Sequence, residues 1–151
     1  MIELVCRTEA ETRGVAARLA ALCRSGDVIA LAGPLGAGKT AFTGGLADGL
    51  GVEEPVTSPS FILMRRYDSG FLPLVHVDVY RLSSIGEFED LATLEEGADG
   101  VVVIEWGNAV MGVLGDDYLV IGFEVNEDES RTLRLEAHGN WRGRPLSEVM
   151  P

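Results

Sequence analysis

The chain has 151 residues and a mass of 16.2 kDa, the size of one domain on the usual scale of roughly 100 to 200 residues each. Its 46% hydrophobic content supports a core that needs neither disulfides nor a structural metal. Twelve Lys and Arg against 24 Asp and Glu leave a net charge of −12, which argues against unaided binding of a phosphodiester backbone, since that affinity comes from cations releasing condensed counterions. Eleven of the cations are arginines, and the single lysine of the chain is Lys39.

In chain order, Ile2 to Cys6 reads as a short strand. Thr8-Glu9-Ala10-Glu11 then matches the capping box that opens a helix. Val15, Leu19, Leu22 and Cys23 form one apolar stripe, so the helix is expected to run to Ser25-Gly26. Asp27 to Ala32 is a buried strand entering a glycine cluster, and Lys39 to Leu50 is a helix closed by Gly49 and Gly51. Gly44 and Gly45 inside that helix cost roughly 1 kcal/mol each relative to Ala and predict an unusually close backbone neighbour. Glu53 to Ser60 is a loop. Phe61 to Tyr67 and Leu74 to Tyr80 form an antiparallel hairpin around Asp68-Ser69-Gly70. Ser84 to Leu94 is helical with Ile85, Phe88 and Leu91 on one face; Val101 to Trp106 is the most strand-like run, and Tyr118 to Val125 and Thr132 to Ala137 form a terminal pair. Residues 1–138 are expected to be a single domain and 139–151 a weakly ordered tail.

Cys6 and Cys23 read as small buried hydrophobes, with no Cys/His spacing that suggests zinc. The first eleven residues carry Glu3, Glu9 and Glu11 and no signal-peptide run, and no stretch reaches the ~18 apolar residues of a membrane span. The expectation is a soluble, cytoplasmic protein with no membrane partner.

The strongest chemical signal is Gly33-Pro34-Leu35-Gly36-Ala37-Gly38-Lys39-Thr40, a complete GxxxxGK[ST] placed between a buried strand and a helix start. Glycines there let backbone amides curl around a β-phosphate, and the helix N-terminus adds positive potential. In this pattern Lys39 reaches the β- and γ-phosphates and the Thr40 hydroxyl ligates Mg²⁺. Such a loop also needs a strand-end carboxylate for the metal. Spacing favours Glu105, after the apolar run Val101 to Ile104, over Asp78, whose strand is broken by His76. Asp78 would then be available to orient or deprotonate an attacking water, with an ion pair to Arg81 as the plainer alternative. His76 shares a strand face with Asp78, a position where a lone histidine is ordinarily a hydrogen-bonded structural residue.

GPLGAGKT, TSPSF (Thr57 to Phe61), HVDVYRL (His76 to Leu82) and VIEW (Val103 to Trp106), in this order in so short a chain, resemble the TsaE family, small bacterial ATPases that take part in making N6-threonylcarbamoyladenosine in tRNA. The likeness runs from about Thr8 to His138. It implies an α/β, P-loop NTPase-like three-layer fold with a mixed parallel/antiparallel central sheet, and ATP and Mg²⁺ as cofactors. It also implies that Gly33 to Thr40 bind the ATP phosphates, with Ala41 among the nucleotide-binding residues, that Thr40 and Glu105 hold Mg²⁺, and that Lys39 and Asp78 serve hydrolysis. Ser58 to Phe61 resemble a first switch loop and His76 to Arg81 a second. Trp106 resembles a family position near the nucleotide, and Thr12 one near the base, although Thr8 and Thr12 also fit as simple helix-start residues. Arg131 falls where the family often has an arginine lining the adenine site; a solvated strand-end arginine is an equal alternative.

Three departures stand out against the family pattern: Pro34 in place of an acidic residue, Ala41 in place of a second threonine, and Ser60 in place of a switch threonine. The first removes one amide donor from the loop. No arginine finger is evident, so weak intrinsic hydrolysis raised by a partner is expected. The resemblance implies that the partner is the threonylcarbamoyl transferase complex of TsaD and TsaB, with tRNA met only indirectly, as the −12 charge would suit. The alternatives are a small-molecule kinase, disfavoured because only Arg65 and Arg66 cluster before the tail, and a nucleotide-gated binding module whose slow hydrolysis is incidental.

Overall fold

Two strands buried on both faces organise the molecule. In β2 (Asp27–Ala32) and β5 (Val101–Glu105) every residue but Ala32 is buried, and a strand with no polar face belongs in the middle of a parallel sheet covered on both sides. The computed structural model describes residues 1–57, 64–79, 92–106 and 111–151. Its other strands are β1 (Ile2–Cys6), β3 (Met64–Tyr67), β4 (Leu74–Asp78), β6 (Tyr118–Val125) and β7 (Arg131–His138). Among the described residues they form one seven-stranded sheet in the order β1-β7-β6-β2-β5-β4-β3. The centre, β6-β2-β5-β4, is parallel. Antiparallel β3 closes one side, and β7 pairs antiparallel with both β6 and β1 on the other.

The sheet is therefore the mixed α/β arrangement expected. Ile29, Leu31, Val101, Val103, Leu119 and Ile121 face one side with the helices α1 (Glu9–Ala20) and α2 (Lys39–Leu50), while Val28, Ala30, Val75, Val77, Val102 and Ile104 face the other. That second face is covered by the short helix Thr93–Glu96, the 3-10 turn Met111–Val113 and Leu114. The hairpin of β3 and β4 is present over its described part. The first switch segment, Ser58 to Phe61, and most of the helix expected over Ser84 to Leu94 lie outside the described residues.

The glycines of α2 have the close neighbour their position predicted. A Cβ on Gly45 would lie 2.4 Å from the Arg13 carbonyl oxygen, and one on Gly49 2.6 Å from that of Ala17, so α1 and α2 cross nearly backbone to backbone. Thr8 caps α1 by accepting from the Glu11 amide at 3.1 Å, the first half of a capping box, while the Glu11 carboxylate accepts from the Arg7 amide one residue earlier. The same helix ends earlier than the apolar stripe suggested. Its last turn tightens through 3-10-type bonds, Leu22 N–H to Leu19 and Cys23 N–H to Ala20 (2.9 and 3.1 Å), so Leu22 and Cys23 pack against the core from beyond the helix end.

The C-terminal segment also differs from expectation. Residues 139–151 are folded onto the domain as two 3-10 turns, Gly139–Gly143 and Leu146–Val149, with Trp141 and Val149 in the main core. Arg144 reaches the start of β2 and makes a buried bidentate pair with Asp27, 2.6 and 2.8 Å, while stacking on Trp141 with its guanidinium 3.9 Å from the ring centroid. Tail composition hid this, because one aromatic, two arginines and a few scattered apolar residues among glycine, proline and polar residues leave no periodic signal.

Candidate nucleotide site

All four central strands point their carboxyl ends at one place, the region where open α/β sheets bind ligands. From β2 the chain leaves through Gly33 and returns as α2. Gly36 and Gly38 adopt left-handed conformations, φ 80° and 104°, that L side chains rarely adopt, and no heavy atom lies within 4 Å of where a Cβ would sit on either. Gly38 caps α2 without a side-chain bond, and no acidic residue occupies the first turn. The opening amides of the helix thus face a cavity of about 550 Å³ with the polarity an anion requires.

Leu35, Gly36, Ala37, Gly38, Lys39, Thr40 and Ala41 line this cavity, as do Asp78, Glu105, Trp106, Thr12 and Arg131. Gly33 and Pro34, expected among the nucleotide-binding residues, are not on its wall; their carbonyls instead accept from the Lys39 ammonium at 2.7 and 3.0 Å. The same ammonium lies 3.8 Å from the centroid of the Trp106 ring. Burial pulls the Lys39 pKa below its ordinary value, while the carboxylates of Glu105 and Asp78 pull it back up. Lys39 is thus a cation held at the cavity by dipoles and an aromatic face, with two anions nearby.

Register places the two acids side by side, Asp78 directly opposite Glu105 at the ends of β4 and β5. The Thr40 hydroxyl, one residue into α2, lies 3.3 and 3.4 Å from the two Glu105 oxygens. His76, fully buried two residues before Asp78, meets Glu105 Oε2 through Nε2 at 2.5 Å. Arg81, the alternative partner for Asp78, lies outside the described residues.

The far wall comes from β1 and its turn into α1 and from the β6–β7 turn: Cys6, Arg7, Thr8, Glu9 and Glu129. None of these was singled out as a site residue, because their only sequence signal is that of a strand end and a helix cap. Thr12 is buried on this wall, with its hydroxyl 3.5 Å from the Thr8 carbonyl. Arg131 has a role that neither alternative foresaw. Its guanidinium donates to the loop carbonyls of Ala37 (3.2 Å) and Gly36 (3.5 Å) and to Glu129 (2.5 Å), so it braces the phosphate loop from the side. Trp106 and Glu129, two of the three described non-glycine residues with positive φ (65° and 68°), both line the cavity. Such strain is held in place only where surrounding structure fixes it, and it gathers at functional sites.

Parallel strands ending at a glycine loop, a helix N-terminus and two strand-end acids define a P-loop-type α/β protein. Residues 6–133 match the family model described as threonylcarbamoyl adenosine biosynthesis protein TsaE. A protein from Bacillus subtilis strain 168, named tRNA threonylcarbamoyladenosine biosynthesis protein TsaE, is 41% identical over 131 residues, 86% of this chain and 82% of the relative. One of the same name from Streptomyces coelicolor is 48% identical over 110 residues, 71% of this chain and 74% of the relative. The crystal structure of YdiB from Bacillus subtilis superposes with a TM-score of 0.79 at 35% identity, covering 97% of this chain and 91% of that one. The chain belongs to the TsaE family.

Proposed function

We propose that the protein is a Mg²⁺-dependent ATP-binding and ATP-hydrolysing subunit in the biosynthesis of N6-threonylcarbamoyladenosine in tRNA. The observation that carries this reading is the convergence of Lys39, the Thr40 hydroxyl and the Glu105 carboxylate at the mouth of a glycine loop. The donors suit Mg²⁺. Among the described residues no group of three or more His, Cys, Asp or Glu could cage a metal, and Mg²⁺ is ordinarily bound by one or two protein oxygens, waters and the substrate's own phosphates. Held by Thr40 and Glu105, it would neutralise charge on the β- and γ-phosphate oxygens.

The chain's own groups do the rest. Amides of the loop and the first turn of α2 hold the phosphates, and Lys39 turns from the Gly33 and Pro34 carbonyls to the γ-phosphate. Asp78, beside Glu105 but on a different strand, orients the attacking water and takes its proton. Thr12, Trp106 and the Arg131 end of the cavity receive the nucleoside. Arg131 is already committed to the loop carbonyls, which supports slow hydrolysis by the chain alone. The TsaD and TsaB proteins would raise the rate by completing the site, and hydrolysis would reset their complex between catalytic turns.

Turnover of ATP measured with and without TsaD and TsaB tests this. A low rate from the isolated chain and stimulation by the pair are expected; a high rate from the chain alone overturns the partner-driven cycle. Lys39→Ala should abolish nucleotide binding. Asp78→Ala should leave binding intact and reduce hydrolysis by about 10²- to 10⁴-fold, the usual contribution of a positioned base.

A further inference from the structure

His76 occupies a position that packing alone does not explain. Leu74, Val75 and Val77 of β4 are apolar and buried, and His76 is itself 0% exposed. Of its two ring nitrogens, Nδ1 is buried without a hydrogen-bond partner among the described residues. Among the described residues Nε2 makes the one hydrogen bond of the side chain, to Glu105 Oε2. A buried polar atom left unpaired costs stability, and an aliphatic residue like its neighbours would fill the strand without that cost. What the imidazole adds is a single N–H donor aimed at the Glu105 carboxylate.

That carboxylate is gripped from two sides. His76 pairs in register with Val103, two residues before Glu105, so the imidazole lies diagonally across β5 on the face that Glu105 shares. The Thr40 hydroxyl approaches the same group from α2. We propose that His76 is a positioning residue for the Glu105 carboxylate, fixing its orientation toward Thr40 and thereby setting the divalent-cation affinity of the site. This rests on the reading of Thr40 and Glu105 as the metal-holding pair. A carboxylate with a fixed donor on one oxygen presents the other in one direction, whereas a free one rotates and loses affinity when it must be ordered.

The test is a Mg²⁺ titration of ATP affinity in the full-length protein, by calorimetry, compared with ATP affinity in EDTA. His76→Asn removes the donor at the Nε2 position with a polar, compact side chain, and His76→Gln restores an N–H that reaches Glu105. His76→Asn should raise the half-saturating Mg²⁺ concentration by about 10-fold or more, the usual cost of losing an outer partner of a metal ligand. Affinity in EDTA should be unchanged, and His76→Gln should recover most of the loss. In a Glu105→Gln background His76→Asn should have no further effect. Nitrogen-15 spectra of the unsubstituted protein give a readout independent of folding of the variants, with the hydrogen-bonded N–H expected on Nε2. Wild-type Mg²⁺ dependence in both His76 variants, an N–H absent from Nε2, or an undiminished His76→Asn effect without Glu105 overturns the positioning role alone. Absence of any Mg²⁺ dependence in the wild type overturns the metal site, and the positioning role with it.

Discussion

Strand β2 carries a buried charge at its start and the phosphate loop at its end, and the two ends use charge in opposite ways. At the start, Asp27 receives two N–H groups from Arg144 and one from the backbone of Arg24 at 2.6 Å, and both charged side chains are almost wholly buried. At the other end, Lys39 rests on two carbonyls and a ring, and Glu105 is held by a histidine and a threonine hydroxyl, with Lys39, Thr40, Glu105 and Trp106 themselves lining a cavity. A carboxylate closed off by its own guanidinium has little to offer a ligand. A lysine ammonium that rests on carbonyls and a ring beside a cavity can turn toward an incoming anion, while the acid next to it stays oriented. Buried charge therefore marks structure or function according to whether it is closed off by its counter-charge or opens onto a cavity.

The sharpest way to break this comparison is to remove Arg144. Arg144→Ala leaves Asp27 buried without a counter-charge, which ordinarily costs about 3 to 5 kcal/mol. It also frees the Leu22 carbonyl and uncovers Trp141. Chemical denaturation should show a loss of that size, while ATP affinity of the folded fraction stays at the wild-type value, because no residue of this cluster lines the cavity. A parallel loss of ATP affinity would mean that the two ends of β2 are coupled.

Arg131 is the intermediate case, an arginine that braces the site without being closed off. Arg131→Ala removes the donors to the Ala37 and Gly36 carbonyls. At roughly 1 kcal/mol for hydrogen bonds at a partly exposed group, affinity should fall about five-fold with little change in stability. Inorganic tripolyphosphate separates bracing from base contact. An equal loss for ATP and tripolyphosphate supports the brace, and a loss confined to ATP assigns Arg131 to the base instead.

Sequence reading succeeded where one residue type serves one geometry. The glycine loop, Lys39 and Thr40 were legible because left-handed turns and a helix N-terminus restrict composition. Gly45 betrayed a helix crossing because a glycine inside a helix carries a cost that a close backbone neighbour explains, whereas the neighbour of Gly44 is the Arg13 side chain. His76 reads from sequence as a hydrogen-bonded residue, and what stays illegible is which remote partners such side chains meet. Arg144 meets Asp27 across 117 residues, Arg131 meets Ala37 across 94, and His76 meets Glu105 across 29. No local pattern records such pairings. The end of α1 was misread for a different reason: Leu22 and Cys23 keep the helical spacing and still pack on the core, but through a tightened last turn.

Arg134 supplies the smallest expected effect and closes the series of arginines. It bridges Glu3 of β1 and Glu124 of β6 at 2.9 and 2.7 Å, with all three side chains largely exposed. Water competes with such pairs, and salt screens them within about 8 Å at physiological ionic strength. Arg134→Ala should therefore leave the melting temperature unchanged within error at that ionic strength, even though its two ion pairs are as short as many in the molecule. At low salt a small decrease should emerge, because the substitution takes one cation from a chain already at −12 and leaves two facing acids unscreened. Melting curves across a salt series distinguish the cases. A decrease that persists at high salt would show that the pairing of β1 with β7 depends on this cross-strand bridge rather than on the apolar contacts of Leu4, Leu133 and Leu135 beneath it.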